Sequence, residues 1–398
     1  VVYSHAMNCG NLSASGDHFF AHALDDLKTT PNGKKAEILW YYLFATNDGA
    51  SRKDIRTVVE SSGAKTVFVD ELIGWREAFN LIRFCVKTKI AAAKIRSMAR
   101  PLTVDTFKSS LFLKNWLDPQ LTNYLPFNEL LILIGTTRLL RKIRPKCLLY
   151  PYEEKALEHA LLQAVEINGN ENALPSVRTV GFAHAVHNYG HMYMRNRRSK
   201  VPRHPLPDFI GTTGPTVRDW LISWGEHPTS RLKVMGSPRY SAALPPPLIN
   251  DAKHREVVVI ISSAHELPAL AALVECQPSA LHGWMLVIRR YPYGWYEIQD
   301  KAISRLEKLG ITLRVEAGPI KEQFSRAHAV AFCSSSAGFE AMLAGRISIR
   351  LNLNEVLDLD PMVGRGDGSS IFKADNILEL KQALDEIAAL DSSAYANR

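Results

Sequence analysis

The sequence AVAFCSSSAGFEAMLAGRISIRLNL occupies residues 329–353 and indicates a strand, a turn of small residues, a short helix and a second strand. Serines and a glycine at 333–338 follow the apolar strand, and the predicted helix 339–343 comes next. Small residues at this place let the backbone approach a ligand, and a helix N-terminus offers unpaired N–H groups and a partial positive charge. The pattern predicts a phosphate-binding turn; the alternative is an ordinary βα turn rich in small residues.

The rest of the C-terminal half repeats this strand and helix alternation. Apolar strands are predicted at 256–261, 284–288 and 311–315, and helices at 266–275, 297–309 and 319–327. Such alternation is typical of a doubly wound parallel sheet, in which ligands bind outside the carboxyl ends of the strands. The segment 375–390 has the periodicity of an amphipathic helix, which we expect to pack back across the linker.

The N-terminal half has the same character, so the chain is predicted to hold two α/β domains. Its predicted strands begin near residues 1, 36, 66, 147, 179, 208 and 232. A proline-rich segment without periodicity, GSPRYSAALPPPLINDAKHRE, follows at 236–256. A length of 398 residues exceeds what one core usually supports. We therefore predict one domain at 1–240 and a second at 241–398.

Composition excludes several classes of protein. No apolar run reaches the roughly 20 residues of a membrane-spanning helix. The five cysteines are scattered without CxxC spacing, which favours a reducing compartment and argues against a disulfide or zinc framework. The net charge of +8 favours an anionic partner. Nucleic acid is not predicted, because acidic residues interrupt the basic ones and no RNA-binding motif is present.

Three loops of the second domain are predicted to converge at one sheet edge. Hydroxyls and helix N-termini suit phosphate, arginine adds a bidentate charge, and a carboxylate suits ribose hydroxyls. Together the three loops predict binding of a nucleotide-sugar donor. The donor-binding candidates are Ser262, Ser263, His265, Arg289, Arg290, Tyr291, Ser334, Ser335, Ser336, Gly338 and Glu340. Neither GxxxxGK[ST] nor a GxGxxG after a first strand is present, which disfavours P-loop and dinucleotide-binding enzymes.

The first domain supplies the catalytic candidates. A glycosyl transfer needs a base, or a carboxylate nucleophile if it retains configuration. Acids expected at the carboxyl edge of this domain are Glu153, Glu154, Glu158 and Asp208, with His184 lining the site. His184, His187 and His191 lack the carboxylate of an HExxH motif, and the DLD at 358–360 follows the last predicted strand, so no metal is predicted.

Residues 75–98 form a predicted basic helix with an apolar side. A basic amphipathic helix is able to lie on an anionic membrane. A helix with a solvated basic face explains the same pattern, and the sequence leaves both interpretations open.

The two similar halves, the linker and SSSAGFEAMLAG at 334–345 resemble the GT-B glycosyltransferases. The segments YPYEEKALEHAL (150–161), GFAHAVH (181–187) and PLPDFIG (205–211) resemble bacterial enzymes that transfer Kdo from CMP-Kdo, most closely the retaining β-Kdo transferases. The resemblance implies two Rossmann-like domains that face each other across a cleft, an acceptor-side domain at 1–240 and a nucleotide-sugar-binding domain at 241–398. It also implies that 334–336 and the 289–291 turn hold the CMP phosphate. The family's His-Pro turn corresponds to Tyr291 and Pro292, so the usual histidine is absent.

The resemblance further implies a catalytic acid such as Asp208 or Glu158, no cofactor beyond the nucleotide-sugar donor, and no metal. It implies a cytoplasmic enzyme, peripheral at the inner face of the membrane, which adds the acidic sugar to a lipid-linked glycan in lipopolysaccharide O-antigen or capsule assembly. The chain is then one module of a larger polypeptide or a complete enzyme. Two alternatives stay open: a UDP-sugar-dependent GT-B transferase, and a nucleotide-sugar 2-epimerase.

Overall fold

The computed structural model describes the following residues of the chain: 1–6, 12–13, 16–17, 20, 37–44, 51–61, 65–98, 103–104, 107–108, 127–172, 177–184, 205–237, 255–290, 296–317, 320–353 and 371–397. The described residues form two compact units, unit 1 up to residue 237 and unit 2 from residue 255. The predicted boundary at 240/241 lies outside the described residues. No helix in the described residues is both long enough and apolar enough to span a membrane.

Unit 1 contains a sheet of seven parallel strands, in the order β7-β6-β5-β4-β1-β2-β3. Its strands are β1 (Val2–Ala6), β2 (Leu39–Phe44), β3 (Lys65–Phe68), β4 (Cys147–Pro151), β5 (Arg178–Ala183), β6 (Phe209–Thr212) and β7 (Leu232–Val234). Two short antiparallel pairs lie apart from this sheet, Leu12–Ser13 with Gly16–Asp17 and Thr103–Val104 with Phe107–Lys108. The described helices of unit 1 are α1 (Arg52–Glu60), α2 (Trp75–Met98), α3 (Phe127–Ile143), α4 (Ala156–Asn172) and α5 (Pro215–Ser223), with 3-10 turns at Val69–Leu72 and Thr229–Arg231.

Unit 2 contains a sheet of six parallel strands, in the order β10-β9-β8-β11-β12-β13. Its strands are β8 (Arg255–Ile260), β9 (Trp284–Arg289), β10 (Leu313–Glu316), β11 (Ala329–Phe332), β12 (Ile347–Leu351) and β13 (Ile371–Ala374). The described helices are α6 (Glu266–Cys276), α7 (Tyr296–Lys308), α8 (Ile320–Arg326), α9 (Ala337–Leu343), α10 (Ile377–Ala389) and α11 (Ser392–Asn397), with a 3-10 turn at Pro278–Leu281. The edge strand β13 is absent from the sequence prediction.

Both sheets are buried on their two faces, which explains why their central strands are nearly continuous apolar runs. All five residues of β12 are buried, as are the last five of β8. The C-terminal helix α10 packs within unit 2, where Leu380, Leu384 and Ile387 join the core under the sheet. The hydroxyl of Tyr395 in α11 donates to the carbonyl of His328 at 2.7 Å and holds the chain end to the same unit.

The strand order fixes where each unit is able to bind a ligand. In both sheets the chain first winds outward in one direction and then returns to add strands on the other side. The reversal lies between β1 and β4 in unit 1 and between β8 and β11 in unit 2. Loops after the carboxyl ends of strands diverge at such a switch point and leave a crevice, where open α/β sheets bind their ligands.

Candidate functional site

Two of the three predicted donor-binding loops meet at the switch point of unit 2. Ser262 follows β8 and Ser334 follows β11, and their hydroxyl oxygens lie 2.8 Å apart. Both hydroxyls donate to Oε1 of Glu266, at 2.6 and 2.8 Å, and the backbone N–H of Ser262 donates to Oε2 at 2.6 Å. Glu266 is 2% exposed. The structure thus gives these two hydroxyls a carboxylate partner within the protein, and phosphate binding by them stays a prediction.

The buried carboxylate also affects where an anion is able to bind. A phosphate on Ser262 and Ser334 would lie against the charge of Glu266, and like charges in a site of low dielectric repel strongly. An anion at this edge is therefore favoured farther along it, beside the arginine that ends β9.

Arg289 is that arginine, and it lies among groups suited to an anionic, hydroxyl-rich ligand. Its Nη1 donates to Oε1 of Gln323 in α8 at 3.2 Å. Partial burial lowers the pKa of Arg289, and the charge of nearby Glu340 opposes that effect. Gln323 is 2% exposed, and its Nε2 is buried without a hydrogen-bond partner among the described residues. A guanidinium and a buried amide donor suit a phosphate or carboxylate, and Glu340 suits hydroxyls.

Gly338 has a packing role that the sequence analysis did not foresee. A Cβ atom at this position would lie 2.5 to 2.6 Å from three atoms of the Phe332 ring, which is fully buried in β11. The glycine lets α9 approach the sheet, and Ser348 of β12 donates to its carbonyl at 3.2 Å. α9 has seven residues and begins two residues before the predicted helix 339–343.

We expect Gly338→Ala to lower the free energy of unfolding by about 3 kcal/mol, because the new methyl group must displace a buried ring. Urea denaturation monitored by fluorescence measures the change. Gly169→Ala in α4 is the matched control, since a Cβ atom there meets nothing within 4 Å, and we expect it to stabilise by about 0.5–1 kcal/mol. Equal stability of Gly338→Ala and the wild type would show that the ring moves aside without cost.

The remaining donor-site candidates lie at the same edge with different partners. Ser335 Oγ accepts a hydrogen bond from the N–H of Ala337 at 3.2 Å. Ser336 is the N-cap residue of α9, and its side chain makes no capping hydrogen bond. Arg290 is paired with Asp300 of α7. Ser263 is partly exposed and His265 is exposed. Tyr291 lies outside the described residues.

In unit 1, Glu153 and His184 come together at the carboxyl ends of β4 and β5. Oε1 of Glu153 lies 3.6 Å from Nε2 of His184, and Lys155 pairs with its other carboxylate oxygen. The Glu153 side chain is 25% exposed and that of His184 is 5% exposed. β4 lies at the switch point of unit 1, so an accessible carboxylate, a histidine and a lysine occupy the edge where ligands bind.

The neighbouring Glu154 holds the turn that presents Glu153. Its backbone φ of 56° is left-handed, a conformation that costs free energy for a residue other than glycine. Its carboxylate accepts hydrogen bonds from Tyr152 Oη and, at 2.8 Å, from His159 Nε2. Burial favours the neutral form of Glu154, but the bonds from His159 and Tyr152 outweigh it and lower its pKa. Glu154 is therefore an ionised structural anchor.

Glu158 is buried behind the same turn. It is 2% exposed, and its two carboxyl oxygens lie 3.1 and 2.9 Å from the backbone nitrogen of Glu153. Burial raises the pKa of Glu158 to about 8, and the charges of Glu153 and Glu154 add to the rise, although the Glu153 N–H opposes it. A carboxyl group so enclosed supports the turn rather than meeting a substrate directly.

The predicted placement of Asp208 is wrong. Asp208 precedes β6, at the amino edge of the sheet, which is opposite the edge that carries Glu153 and His184. Its carboxylate accepts from the N–H and hydroxyl of Thr179, at 2.8 and 3.0 Å, and its own N–H donates to that hydroxyl at 2.9 Å. The aspartate ties the starts of β5 and β6 together. The sequence analysis began a strand near residue 208 but still placed Asp208 among the acids of the carboxyl edge, although the start of a parallel strand lies at the opposite edge.

Two residues at the donor edge are absent from the sequence prediction. Glu266 has a readable signal, since it lies four residues after Ser262 at the start of a helix, where an acid complements the helix dipole. Gln323 has none, because its contact with Arg289 joins residues 34 positions apart.

No cluster of three or more His, Cys, Asp or Glu side chains within the described ranges is arranged to hold a metal ion. His187, His191 and the DLD at 358–360 lie outside the described residues.

The fold is similar to those of solved enzymes. No protein-family model matches the sequence, and no curated protein matches it significantly. A UDP-N-acetylglucosamine 2-epimerase is similar over 99% of this chain and 88% of its own, with a TM-score of 0.50 and 11% identity. The glycotransferase of kitacinnamycin is similar over 99% and 91%, with a TM-score of 0.50 and 13% identity. The lipopolysaccharide outer core galactosyltransferase WaaB is similar over 100% and 94%, with a TM-score of 0.51 and 10% identity. The chain therefore has a fold of the GT-B type, built from two α/β units with parallel sheets.

Proposed function

We propose that this chain is a glycosyltransferase that moves an acidic sugar from a nucleotide donor, CMP-Kdo by the resemblance of its motifs, to a lipid-linked glycan of a bacterial surface polysaccharide. The observation that carries the proposal is the group formed by Arg289, Gln323 and Glu340 beside the switch point of unit 2. A cation and an amide donor suit an anionic nucleotide, and a nearby carboxylate suits ribose or sugar hydroxyls. WaaB, which shares the fold, is a galactosyltransferase that acts on lipopolysaccharide outer core.

The leaving group, the nucleotide phosphate, determines which residues are needed. Cleavage of the bond between sugar and phosphate leaves negative charge on the nucleotide phosphate, and a positioned guanidinium stabilises that charge more in the transition state than in the ground state. We assign this role to Arg289, with the Gln323 amide as a second donor. No step of this assignment requires a metal ion.

Unit 1 contains the acidic residues considered for the group that reacts at the anomeric carbon. Of the four acids named as catalytic candidates, Glu153 is the one that is both accessible and placed at the carboxyl edge. We propose that its carboxylate forms the covalent intermediate of a retaining transfer, and that His184 and Lys155 orient it and balance its charge. Glu158 then acts as a positioning residue, because its carboxyl group contacts the Glu153 backbone.

The test is binding of CMP, UDP and GDP to the intact chain by calorimetry. We expect CMP to bind tightest, and Arg289→Ala to weaken CMP about 100-fold through loss of charge-assisted hydrogen bonds. The matched control is Arg290→Ala, since Asp300 already neutralises that adjacent guanidinium, and we expect less than a threefold change.

Either of two results would contradict this assignment. A clear preference for UDP would remove the CMP-Kdo proposal. A larger loss with Arg290→Ala than with Arg289→Ala would move the anion to the other side of the β9 loop.

A second candidate is a nucleotide-sugar 2-epimerase, which is favoured by the similarity to a UDP-N-acetylglucosamine 2-epimerase. An epimerase converts its substrate without an acceptor. Turnover of UDP-N-acetylglucosamine by the chain alone would establish it, and the absence of turnover under conditions where CMP binds would leave the transferase. A UDP-sugar-dependent transferase is the intermediate outcome, with UDP preferred and no turnover until an acceptor is added.

A further inference from the structure

Helix α2 is attached to unit 1 along one narrow seam. Leu81 and Cys85 are buried, at 4% and 8% exposure, and the helix packs against α3. Arg138 of α3 pairs with Glu77 and donates to the carbonyl of Leu72 at 2.9 Å. These contacts fix which side of α2 faces the protein.

A second side of α2 carries large apolar side chains that are exposed. Its members lie at spacings of four, three, four and four residues, and we call them the apolar stripe: Trp75, Phe79, Ile82, Val86 and Ile90. Each is between 51% and 77% exposed. At about 100° per residue they fall within an arc of about 80°, roughly 120° around the helix from the buried seam. Single exposed apolar residues need no explanation, but a continuous stripe does.

Cations border the apolar stripe. Four exposed residues lie along one flank, and we call them the basic stripe: Arg76, Arg83, Lys87 and Lys94. Lys89, also exposed, lies on the other flank. The sequence of α2 contains one acidic residue, Glu77, which is paired with Arg138. The guanidinium of Arg76 lies 5.7 Å from the centre of the Trp75 ring, so the two stripes meet at the start of the helix.

We propose that α2 docks unit 1 on an anionic lipid bilayer, with the apolar stripe at the boundary between headgroups and acyl chains and the basic stripe on lipid phosphates. An apolar stripe edged by cations is the arrangement of helices that lie in a membrane interface. Tryptophan favours that interface, and each surface lysine or arginine adds attraction to anionic lipid. Binding of nucleic acid would use the cations but not the apolar stripe.

The inference is independent of the proposed transferase activity. Vesicle binding needs neither donor nor acceptor, so a chain that binds CMP but not vesicles contradicts this inference alone. A chain that binds vesicles but prefers UDP contradicts the CMP-Kdo proposal alone. If both hold, the chain binds a nucleotide and associates with a bilayer, as the proposed transfer to a lipid-linked acceptor requires.

The experiment is flotation of the intact chain with vesicles. One set contains equal parts of phosphatidylglycerol and phosphatidylcholine, and the other contains phosphatidylcholine only. We expect binding to the anionic set at about 0.1 M salt, weakening at about 1 M because salt screens the cations. We expect binding to the neutral set to be at least about tenfold weaker, since several cations lose their partners.

Matched variants separate the two stripes from the rest of the surface. We expect Phe79→Ser to weaken vesicle binding about tenfold and Lys87→Gln about fivefold. The control for the first is Phe84→Ser, because Phe84 is 47% exposed on the same helix but lies about 140° around it from Phe79. The control for the second is Lys53→Gln in α1. All four side chains are exposed, so the urea midpoint of each variant should match the wild type.

Three results would overturn the proposal. One is equal loss of binding with Phe79→Ser and Phe84→Ser. Another is a dimer in light scattering that Phe79→Ser dissociates, together with no vesicle binding, which would show that a second copy covers the stripe. The last is tight binding to a generic RNA that Phe79→Ser leaves unchanged, again without binding to vesicles.

Discussion

We expect the wild-type chain to lose stability as the pH rises from 4.5 to about 8, and Glu158→Gln to remove most of that loss. Glu158 is 2% exposed and is enclosed by the turn at Glu153 and the start of α4. Taking a carboxylate out of water costs free energy, so the folded chain holds the proton to a higher pH than the unfolded chain does. Glutamine has no proton to lose, so the variant should keep its stability across this interval.

The sign follows from which state binds more protons. Below pH 4.5 the Glu158 carboxyl group is protonated in both states, and its contribution does not change with pH. Between pH 4.5 and about 8 the folded state retains the proton that the unfolded state releases, so the free energy of unfolding falls as pH rises. Above the folded pKa both states are ionised and the loss is complete. A rise of this size in the pKa corresponds to about 5 kcal/mol.

Urea denaturation at a series of pH values measures this effect. The matched control is Glu166→Gln, because Glu166 is an exposed acid on the same helix and its replacement should leave the wild-type pH dependence intact. Glutamine is able to accept the Glu153 N–H as the acid does, so the variant should remain folded. Parallel pH curves for the wild type and Glu158→Gln would show that Glu158 is ionised in the folded chain at neutral pH.

The parallel sheets were predictable because their signal is local and strong. Buried central strands such as β8 and β12 are short apolar runs bounded by turns, and helices between them have a clear period. The edge strand β13 escaped prediction because an edge strand needs less apolar sequence, and two of its four residues, Ile371 and Phe372, are partly exposed. The start of α9 was also misjudged, since that helix begins at Ala337 and not at Phe339, whereas its end at Leu343 agrees with the prediction.

The site was predictable only as a set of loops. Sequence position places Ser262, Ser334 and Glu153 after strands, and parallel strands bring such residues to one edge. Side-chain partners cannot be derived in this way, because the Glu266 contact with Ser334 and the Arg289 contact with Gln323 join distant segments. Glu266 accepts hydrogen bonds from Ser262 and Ser334, the two serines that were expected to bind phosphate. Asp208 was assigned to the wrong edge because it comes directly before a strand, and only residues that follow a parallel strand lie at the carboxyl edge.

The second large effect is expected at Glu153. Replacing it with alanine should lower the rate of CMP-Kdo cleavage about 1,000-fold or more, because a missing nucleophile removes a route that no neighbour replaces. Release of CMP from CMP-Kdo with water as the acceptor measures the rate without knowledge of the natural acceptor. CMP affinity should change less than threefold, since donor binding is assigned to Arg289 in unit 2. Tenfold weaker CMP binding would make Glu153 a donor-binding residue.

Glu154→Gln provides the contrast. Glu154 differs from Glu153 by one position, but Tyr152 and His159 engage both of its carboxylate oxygens. Its replacement should weaken the turn and lower stability by about 1–3 kcal/mol, because hydrogen bonds to an ionised group are lost. The rate should fall far less than in Glu153→Ala. Equal rate losses in the two variants would mean that the turn geometry, and not the Glu153 carboxylate, controls the rate.

Added azide tests whether Glu153 acts at the anomeric carbon, and a covalent sugar adduct on the wild-type chain, measured by mass spectrometry, distinguishes a nucleophile from a base. In a retaining transfer the Glu153 carboxylate attacks the anomeric carbon as CMP leaves, and a second attack releases the sugar with its original configuration. In Glu153→Ala, azide occupies the space left by the carboxylate, attacks the same carbon in one step and displaces CMP. The rate of CMP release should therefore recover, and the product should be an azido sugar of inverted configuration. A base at Glu153 would lie on the side of the sugar from which the acceptor attacks, so azide would restore the rate in that case too. The wild type would then release sugar of inverted configuration and form no covalent sugar adduct. Failure of azide to restore the rate in Glu153→Ala, while CMP affinity is unchanged, would show that the Glu153 carboxylate does not act at the anomeric carbon.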